Sequence, residues 1–276
     1  MTYAQQFRVA PGRKVSLADV DPGFHGKHES SERAAGEIAD NLVALRRLQY
    51  TLYAEKAHAL LIVLQGIDAA GKDGVCRHVV TAMSPQGCTV VPFKQPTPEE
   101  HGHDFLWRVH RHAPEVGQVA IFNRSHYEDV LVVRVHDLVP QAVWSCRYAH
   151  INAFEQLLAD SGTTILKLFL WISKDEQLAR FKERLDDPAR QWKISDSDYT
   201  ERARWDDYVA AYEDMLARCS TDRAPWYVIP SNHKWFRNLA VSQIIAETLE
   251  GMKMKMPAPT VDLDRIRKAY HKAARP

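Results

Sequence analysis

The sequence between positions 60 and 72 reads Leu-Leu-Ile-Val-Leu-Gln followed by Gly66-Ile67-Asp68-Ala69-Ala70-Gly71-Lys72. The apolar run Leu60–Leu64 predicts a buried parallel strand, and a helical pattern follows the lysine. A glycine-rich loop between a strand and a helix can wrap phosphate groups with backbone N–H groups, and its lysine contacts them too. The alternative is an ordinary strand-to-helix turn. The predicted phosphate contacts of this P-loop are Gly66, Ala69, Ala70, Gly71 and Lys72.

Four more apolar runs along the chain have the length of buried parallel strands. They are Thr89–Phe93, Val119–Phe122, Thr164–Ile172 and Trp226–Ile229. Helical patterns separate the strands, and an amphipathic helix is expected from Ser30 to about His58. This alternation predicts an α/β fold, with a five-stranded parallel sheet flanked by helices and ligands at the carboxyl ends of the strands.

Three parts of the chain differ in composition. Residues 1–30 combine proline, glycine and charge, which predicts an extended arm that wraps the body. Residues 31–250 form the predicted P-loop domain, and within it the charged segment from about 174 to 218 predicts a helical lid. Residues 251–276 form a basic tail, with a helix expected after Pro259.

Composition limits the classes of function. The 276 residues carry a formal net charge of +1, so overall charge gives no reason to expect binding to nucleic acid or to an anionic membrane. No apolar run approaches the roughly 18 residues of a membrane span, and Met1–Lys14 lacks the apolar region of a signal peptide. The four cysteines have no motif spacing and are interpreted as reduced thiols. We therefore expect a cytoplasmic protein.

Position 73 departs from the usual P-loop pattern. Asp73 stands where most P-loop enzymes have a Ser or Thr whose hydroxyl binds Mg²⁺, so a metal ligand has to come from elsewhere. Asp68 is a candidate, because an aspartate beside polyanionic phosphates is tolerated when a cation bridges them. A carboxylate that only caps the turn is the alternative interpretation of Asp68.

A second motif follows the third predicted strand. The run Val119–Phe122 breaks into Asn123-Arg124-Ser125-His126-Tyr127-Glu128-Asp129, and such a break is expected where a strand ends at an active site. Asn123 stands where ordinary P-loop proteins have the Asp that supports Mg²⁺. The planar guanidinium of Arg124 is predicted to face the transferred phosphate.

Together these motifs resemble the signatures of the polyphosphate kinase 2 family. The resemblance is carried by Gly66-x-Asp68-x-Ala70-Gly71-Lys72-Asp73-Gly74, by Phe122-Asn123-Arg124-Ser125-x-Tyr127, and by the block Phe181-x-x-Arg184-x-x-Asp187-Pro188-x-x-x-Trp192-Lys193-x-Ser195-x-x-Asp198 with Trp205-Asp206-Asp207-Tyr208. It implies a thymidylate-kinase-like P-loop fold, dependence on Mg²⁺ with Mn²⁺ as the alternative ion, and a homodimer or homotetramer. It also implies inorganic polyphosphate and nucleoside mono- and diphosphates as substrates, with adenine or guanine as the base. The Asn-Arg-Ser-His-Tyr-Glu-Asp form resembles the subgroup that phosphorylates both AMP and ADP.

The pattern and the resemblance assign roles to individual residues. The predicted catalytic residues are Asp68, Lys72, Arg124 and Arg184, with Asp68 as a metal ligand and Asp129 or Glu128 as a second one. Further phosphate contacts are expected from Asp73, Arg77, Lys94, Arg134 and Lys193. The nucleotide is expected to contact Asn123, Tyr127, Glu128, Asp129, Trp192 and Tyr208. The alternative interpretation of each basic residue is a solvated or ion-paired surface position. The alternative interpretation of the lid aromatics is that they only pack against the protein.

Three other classes of protein share parts of this pattern. An ATP-dependent nucleoside monophosphate kinase of the thymidylate-kinase type would use the same loop, lid and arginines with a nucleotide as donor. A GTP-dependent switch would need a guanine-reading Asn-Lys-x-Asp segment, which the sequence lacks. A polyanion-binding module without turnover would lose no activity when Lys72 is replaced. Zinc binding is discounted, because the spacing of the histidines lacks a helical ligand pair: His101, His103, His110 and His112.

Overall fold

A five-stranded, all-parallel sheet forms the centre of the protein. The structure is a computed structural model that describes residues 1–274, so Arg275 and Pro276 of the predicted tail lie outside the described residues. The strands are β1 (Ala59–Gly66), β2 (Cys88–Pro92), β3 (Val119–Asn123), β4 (Thr163–Trp171) and β5 (Trp226–Pro230). They pair in the order β2-β3-β1-β4-β5, and every pair is parallel. The predicted sheet is confirmed, with strand ends within two residues of those expected.

Helices flank the sheet, as predicted. Their bounds are α1 (Tyr3–Phe7), α2 (Ser31–Glu55), α3 (Lys72–His78), α4 (Pro98–His101), α5 (Trp107–His110), α6 (Val132–Val135), α7 (Gln141–Asp160), α8 (Lys174–Asp186), α9 (Asp196–Ala203), α10 (Trp205–Cys219), α11 (Lys234–Gly251) and α12 (Leu263–Ala273). Short 3-10 segments lie at Leu17–Asp19, Val80–Ala82, His126–Val130 and Gln191–Lys193. Among residues 1–274, no helix combines the length and the apolar character that crossing a bilayer requires.

The register of the sheet brings the two sequence motifs together. All residues of β1 are buried, as expected of a central strand with neighbours on both sides. Leu64 of β1 pairs with Asn123 at the end of β3, and Gly66 pairs with Leu170 near the end of β4. The P-loop and the polar residues after β3 therefore leave the same edge of the sheet side by side.

The predicted helix after Ser30 is present as α2. The Ser30 side chain accepts a hydrogen bond from the Arg33 backbone N–H at the start of this helix, which satisfies one otherwise unpaired donor. The helix ends at Glu55, and the capping residue Lys56 that follows has a φ of 53°, in the left-handed region. Along its length α2 packs against α11.

The first 30 residues lie along β5 and α11. The Val9 N–H donates to the Trp226 carbonyl over 2.8 Å, and Arg8 forms an antiparallel bridge with Tyr227. The segment begins with the short helix α1, which has a capping box formed by Thr2 and Gln5. The segment thus adds a short edge contact to the sheet.

The predicted lid segment, from about 174 to 218, has two structural parts. Helix α8, the 3-10 turn Gln191–Lys193 and α9 leave much of their surface exposed. Helix α10 instead buries one face and packs against α6 and α7, because apolar residues recur along it at helical spacing. Only the part before α10 therefore has the exposure expected of a lid.

Candidate active site

The P-loop connects β1 to α3 with a tight backbone path. A Cβ atom at Gly66 would lie 2.7 Å from the Leu170 carbonyl oxygen, so only glycine fits this close approach to β4. Gly71 has a φ of 108°, a left-handed conformation that disfavours other residues just before α3. The backbone thus adopts the loop that residues 66–72 predict.

Lys72 folds back over this loop. Its Nζ atom donates to the Gly66 carbonyl at 2.5 Å and lies 3.5 Å from the Ile67 carbonyl. Burial, together with the nearby Arg124 guanidinium, lowers the pKa of Lys72 to about 8. The ammonium group is therefore held over the loop by carbonyl groups that a phosphate can replace.

Arg124 and Asp68 form an ion pair across the ends of β1 and β3. Arg124 Nη2 donates to Asp68 Oδ1 at 2.9 Å, and the two side chains are 43% and 32% exposed. Arg124 has a φ of 63°, an uncommon conformation for a non-glycine residue and one seen at functional sites. The partial exposure leaves both charged groups accessible to a ligand.

A cavity opens beside this ion pair. Six of the residues predicted from the sequence line it: Gly66, Asp68, Lys72, Arg124, Glu128 and Tyr208. Five more lining residues were not predicted, namely Ile67, Val132, Gln177, Glu201 and Tyr212. Tyr212 could have been found, because it follows Tyr208 by four residues and so shares its helix face. Glu201 and Gln177 come from distant helices, and nothing in their local sequence points to the cavity.

The Asp73 side chain is bonded to the lid and to the end of β3. Its carboxylate accepts from Lys193 Nζ at 2.7 Å and from the Asn123 amide at 3.0 Å. These two bonds connect the lid, the start of α3 and the end of β3. The Lys193 hydrogen bond offsets the burial that would raise the pKa of Asp73, and the net shift is downward. The Asp73 side chain is thus an anion paired with the lid, so only its backbone can donate to phosphate.

Two predicted site residues are held by partners elsewhere in the protein, and their proposed ligand contacts stay predictions. Tyr127 is fully buried, and its hydroxyl donates to Glu155 at 2.7 Å. Arg134 donates to Asp214 at 2.6 Å and stacks on the Trp144 ring. Both side chains satisfy partners inside the protein.

Several other predicted residues lie outside the cavity. Arg184 pairs with Asp198 at 3.5 Å within the lid, and Trp192 is 77% exposed there. Asp129 accepts from Arg147 at 2.8 Å, and burial raises the pKa of its carboxyl to about 6. Arg77 and Lys94 lie on the surface. The proposed contacts of these five residues with ligands stay predictions.

Arg180 fastens the P-loop from behind. This buried residue of α8 donates to the carbonyls of Ala69 and Ala70 at 2.8 and 2.9 Å. It also donates to the carbonyls of Ser231 and Asn232 after β5. Its Nε atom pairs with Glu176 at 2.7 Å. One guanidinium therefore ties the lid helix and the end of β5 to the loop.

A second buried polar cluster supports the motif after β3. Lys167 in the middle of β4 donates to Glu155 at 2.6 Å and to the Tyr127 hydroxyl at 2.9 Å. Glu155 also lies 3.2 Å from the His126 ring, and all four side chains are buried. This cluster fixes the 3-10 turn that carries Glu128.

The carboxylates of the cavity can serve as ligands of a divalent cation. Asp68 and Glu128 supply hard oxygen ligands, and both line the cavity. Within residues 1–274 no group of three or more potential ligand side chains converges. Mg²⁺ is commonly held by one or two carboxylates together with substrate phosphates, so this ligand set fits Mg²⁺ when phosphate is bound.

Comparison with known proteins identifies the family. The family profile of polyphosphate kinase 2 matches residues 28–257. The AMP/ADP-polyphosphate phosphotransferase of Meiothermus ruber is 50% identical over 263 residues, covering 95% of this chain and 98% of that protein. The ADP-polyphosphate phosphotransferase of Rhodopseudomonas palustris is 45% identical, covering 93% of each chain.

A solved structure agrees with these matches. The crystal structure of polyphosphate kinase 2 from Arthrobacter aurescens TC1 superimposes with a TM-score of 0.95 at 42% identity, covering 99% of this chain and 97% of that one. The P-loop kinase fold and the resemblance predicted from the motifs are therefore confirmed. The protein is a phosphotransferase enzyme, and it belongs to the polyphosphate kinase 2 family.

Proposed function

We propose that the protein transfers phosphoryl groups between inorganic polyphosphate and the adenine nucleotides AMP and ADP. The observation that carries this proposal is the cavity in which Lys72 and Arg124 face Asp68 and Glu128 at the carboxyl ends of β1 and β3. Relatives named for polyphosphate with AMP, ADP and GDP support the class of substrate. The glutamate at position 128 favours both AMP and ADP, by resemblance to the subgroup that carries it.

The geometry suggests how the residues act. Phosphate entering the loop can take the place of the Gly66 carbonyl as the partner of Lys72, and the place of Asp68 as the partner of Arg124. Both cations would then stabilise negative charge as it develops on the transferred group. The acceptor is an already anionic phosphate oxygen, so no general base is needed.

Phosphotransferases of this family generally need a divalent metal ion, and we propose Mg²⁺, with Mn²⁺ as a substitute. Asp68 would hold the ion together with substrate phosphates, and Glu128 lies in the same cavity. When bound, the ion neutralises phosphate charge. The Arg124–Asp68 pair keeps that carboxylate at the cavity wall in the free protein.

The lid has a proposed role in excluding water. Lys193 of the lid reaches Asp73 at 2.7 Å, so the lid already contacts the start of α3. Arg184 belongs to the same segment, and we propose that a further movement of the lid brings it to the phosphates. Closure of this kind favours transfer to a nucleotide over hydrolysis.

Initial rates with different acceptors test the proposed function. With long-chain polyphosphate as the only donor, we expect ATP from ADP, and ADP followed by ATP from AMP. The variant Glu128→Asn should lower the rate with AMP by about tenfold and leave the rate with ADP within a few-fold. Absence of ATP from ADP and polyphosphate would overturn the function and favour an ATP-dependent kinase. If Glu128→Asn lowers the rates with AMP and with ADP equally, the proposed role of Glu128 in acceptor choice is wrong, but the proposed function is unaffected.

The pKa of Lys72 predicts a pH dependence of donor binding. Burial holds this pKa at about 8, so the ammonium group loses its proton as pH rises through that value. A neutral amine attracts phosphate weakly, so the Kd for polyphosphate should rise above about pH 8 and be flat below it. Binding measured by calorimetry between about pH 7 and 9 gives the profile. Lys72→Arg is the control, because a guanidinium keeps its charge over this range. A wild-type Kd that is constant over the range would contradict the prediction.

The cellular setting is also a proposal. We propose a homodimer or a homotetramer, on the family resemblance, and sedimentation velocity measures it directly. We propose the cytoplasm as the location, which is compatible with the four free cysteines at Cys76, Cys88, Cys146 and Cys219.

A further inference from the structure

Arg237, in the first turn of α11, is a buried cation behind the P-loop. The residue is only 3% exposed. Within residues 1–274 no carboxylate lies within ion-pair distance of it, and its side-chain hydrogen bonds go to the Asn238 amide oxygen at 2.8 and 3.2 Å. Burying a charge without a counterion is costly, so we expect a bound ligand to supply the counterion of Arg237.

The guanidinium lies directly against the phosphate loop. A Cβ atom built on Gly71 would overlap Arg237 Nη1, and one built on Gly74 would lie 2.7 Å from Nη2. Gly71 belongs to the predicted phosphate loop, and Gly74 lies in the first turn of α3 directly after it. The Arg237 guanidinium thus occupies the space that side chains at positions 71 and 74 would need.

The neighbouring Arg180 does not play the same part. Its charge is offset by Glu176, and its remaining donors are taken up by backbone carbonyls. Burial, together with the Arg180 cation, lowers the pKa of Arg237 to about 10, so Arg237 keeps its charge at neutral pH. The back of the loop therefore carries one positive charge that no protein group neutralises among the described residues.

We propose that Arg237 is a positioning residue whose counterion is the phosphate bound on the loop, so that its charge strengthens polyphosphate binding through the loop. This inference rests on the proposed function, in which the loop binds polyphosphate. In the free protein the buried charge opposes folding, and bound polyanion relieves that penalty. The charge of Arg237 therefore lowers the stability of the free protein and raises its affinity for polyphosphate. A side chain that only filled space would not raise that affinity.

The decisive variant is Asn238→Asp, which gives Arg237 a carboxylate in place of an amide at almost the same shape. The new ion pair should raise the unfolding midpoint of the free protein, and it should raise the Kd for polyphosphate about tenfold, with kcat within about twofold. Calorimetry with polyphosphate of defined chain length and thermal unfolding measure both. The proposal stands if the Kd rises and is overturned if the Kd stays at the wild-type value.

Two further variants test the charge itself. Arg237→Met removes the charge at similar length, so it should lower the gain in unfolding midpoint that polyphosphate produces, without lowering the midpoint of the free protein. Arg237→Lys keeps the charge and should bind within a few-fold of wild type. A free Arg237→Met protein that melts earlier or fails to fold would contradict the proposal. Wild-type protein that binds no polyphosphate would overturn the proposed function as well as this role.

Discussion

Lys72→Ala is expected to lower kcat/KM for polyphosphate by about three orders of magnitude. Lys72 is the lysine that lines the cavity, and its ammonium group is held over the loop by the Gly66 carbonyl. Arg124 cannot replace it, because the Arg124 guanidinium lies at the end of β3 and pairs with Asp68. Transfer through a loose transition state depends on positive charge at the transferred group, so the loss should appear in kcat as well as in KM.

The measurement is the initial rate of ATP formation from ADP over a range of polyphosphate concentrations. Lys27→Ala is a matched control, because Lys27 is 71% exposed and pairs with Glu37 away from the cavity. The control should retain activity within about twofold of wild type. A Lys72→Ala enzyme within about tenfold of wild type would remove the loop lysine from the mechanism.

Glu155→Ala is expected to destabilise the fold by about 3–5 kcal/mol. The change leaves Lys167 fully buried in the middle of β4 without its carboxylate partner, and it also removes the acceptor of the Tyr127 hydroxyl. Burial alone would raise the pKa of Glu155, but the Lys167 cation and the hydrogen bond with the His126 ring bring it below its ordinary value, so Glu155 is charged at neutral pH. Urea unfolding at neutral pH gives the free energy of unfolding.

Two comparisons identify the cause of that loss. The double variant Glu155→Leu with Lys167→Met removes both charges and should recover most of the stability, because an apolar pair avoids the desolvation of an isolated cation. Glu29→Ala removes a carboxylate that is 72% exposed and pairs with Arg33, and it should cost less than about 1 kcal/mol. Equal losses for Glu155→Ala and Glu29→Ala would contradict the assigned role of the buried pair.

The sheet and the phosphate loop were predictable because their signals are local. The run Leu60–Leu64 is buried on both sides, so it reads as a continuous apolar segment, and the glycine loop follows it directly. The polar break after Val119–Asn123 is also local, and parallel pairing alone brings it beside the loop. Both motifs could therefore be placed at one edge of the sheet without knowledge of side-chain contacts.

The rest of the site depends on contacts between distant segments. Tyr127 is one of the residues of the family motif. Its buried hydroxyl is bonded to Lys167, and no local sequence pattern indicates that Lys167 is its partner. In the sequence, Arg180 and Arg237 cannot be distinguished from arginines that lie on the surface. Only the fold brings both of them behind the phosphate loop. The predicted lid covers both α8 and α10, and charge alone does not distinguish the largely exposed α8 from the half-buried α10.

The contact between Gly74 and Arg237 limits how these two positions can change in evolution. Because Gly74 has no side chain, it leaves room for the guanidinium of Arg237, which is more than 160 residues away in the sequence. A side chain at position 74 would displace that guanidinium, whereas a shorter residue at position 237 would leave position 74 free to vary. The two positions should therefore covary among homologues, with the motif glycine retained where the distant arginine is present.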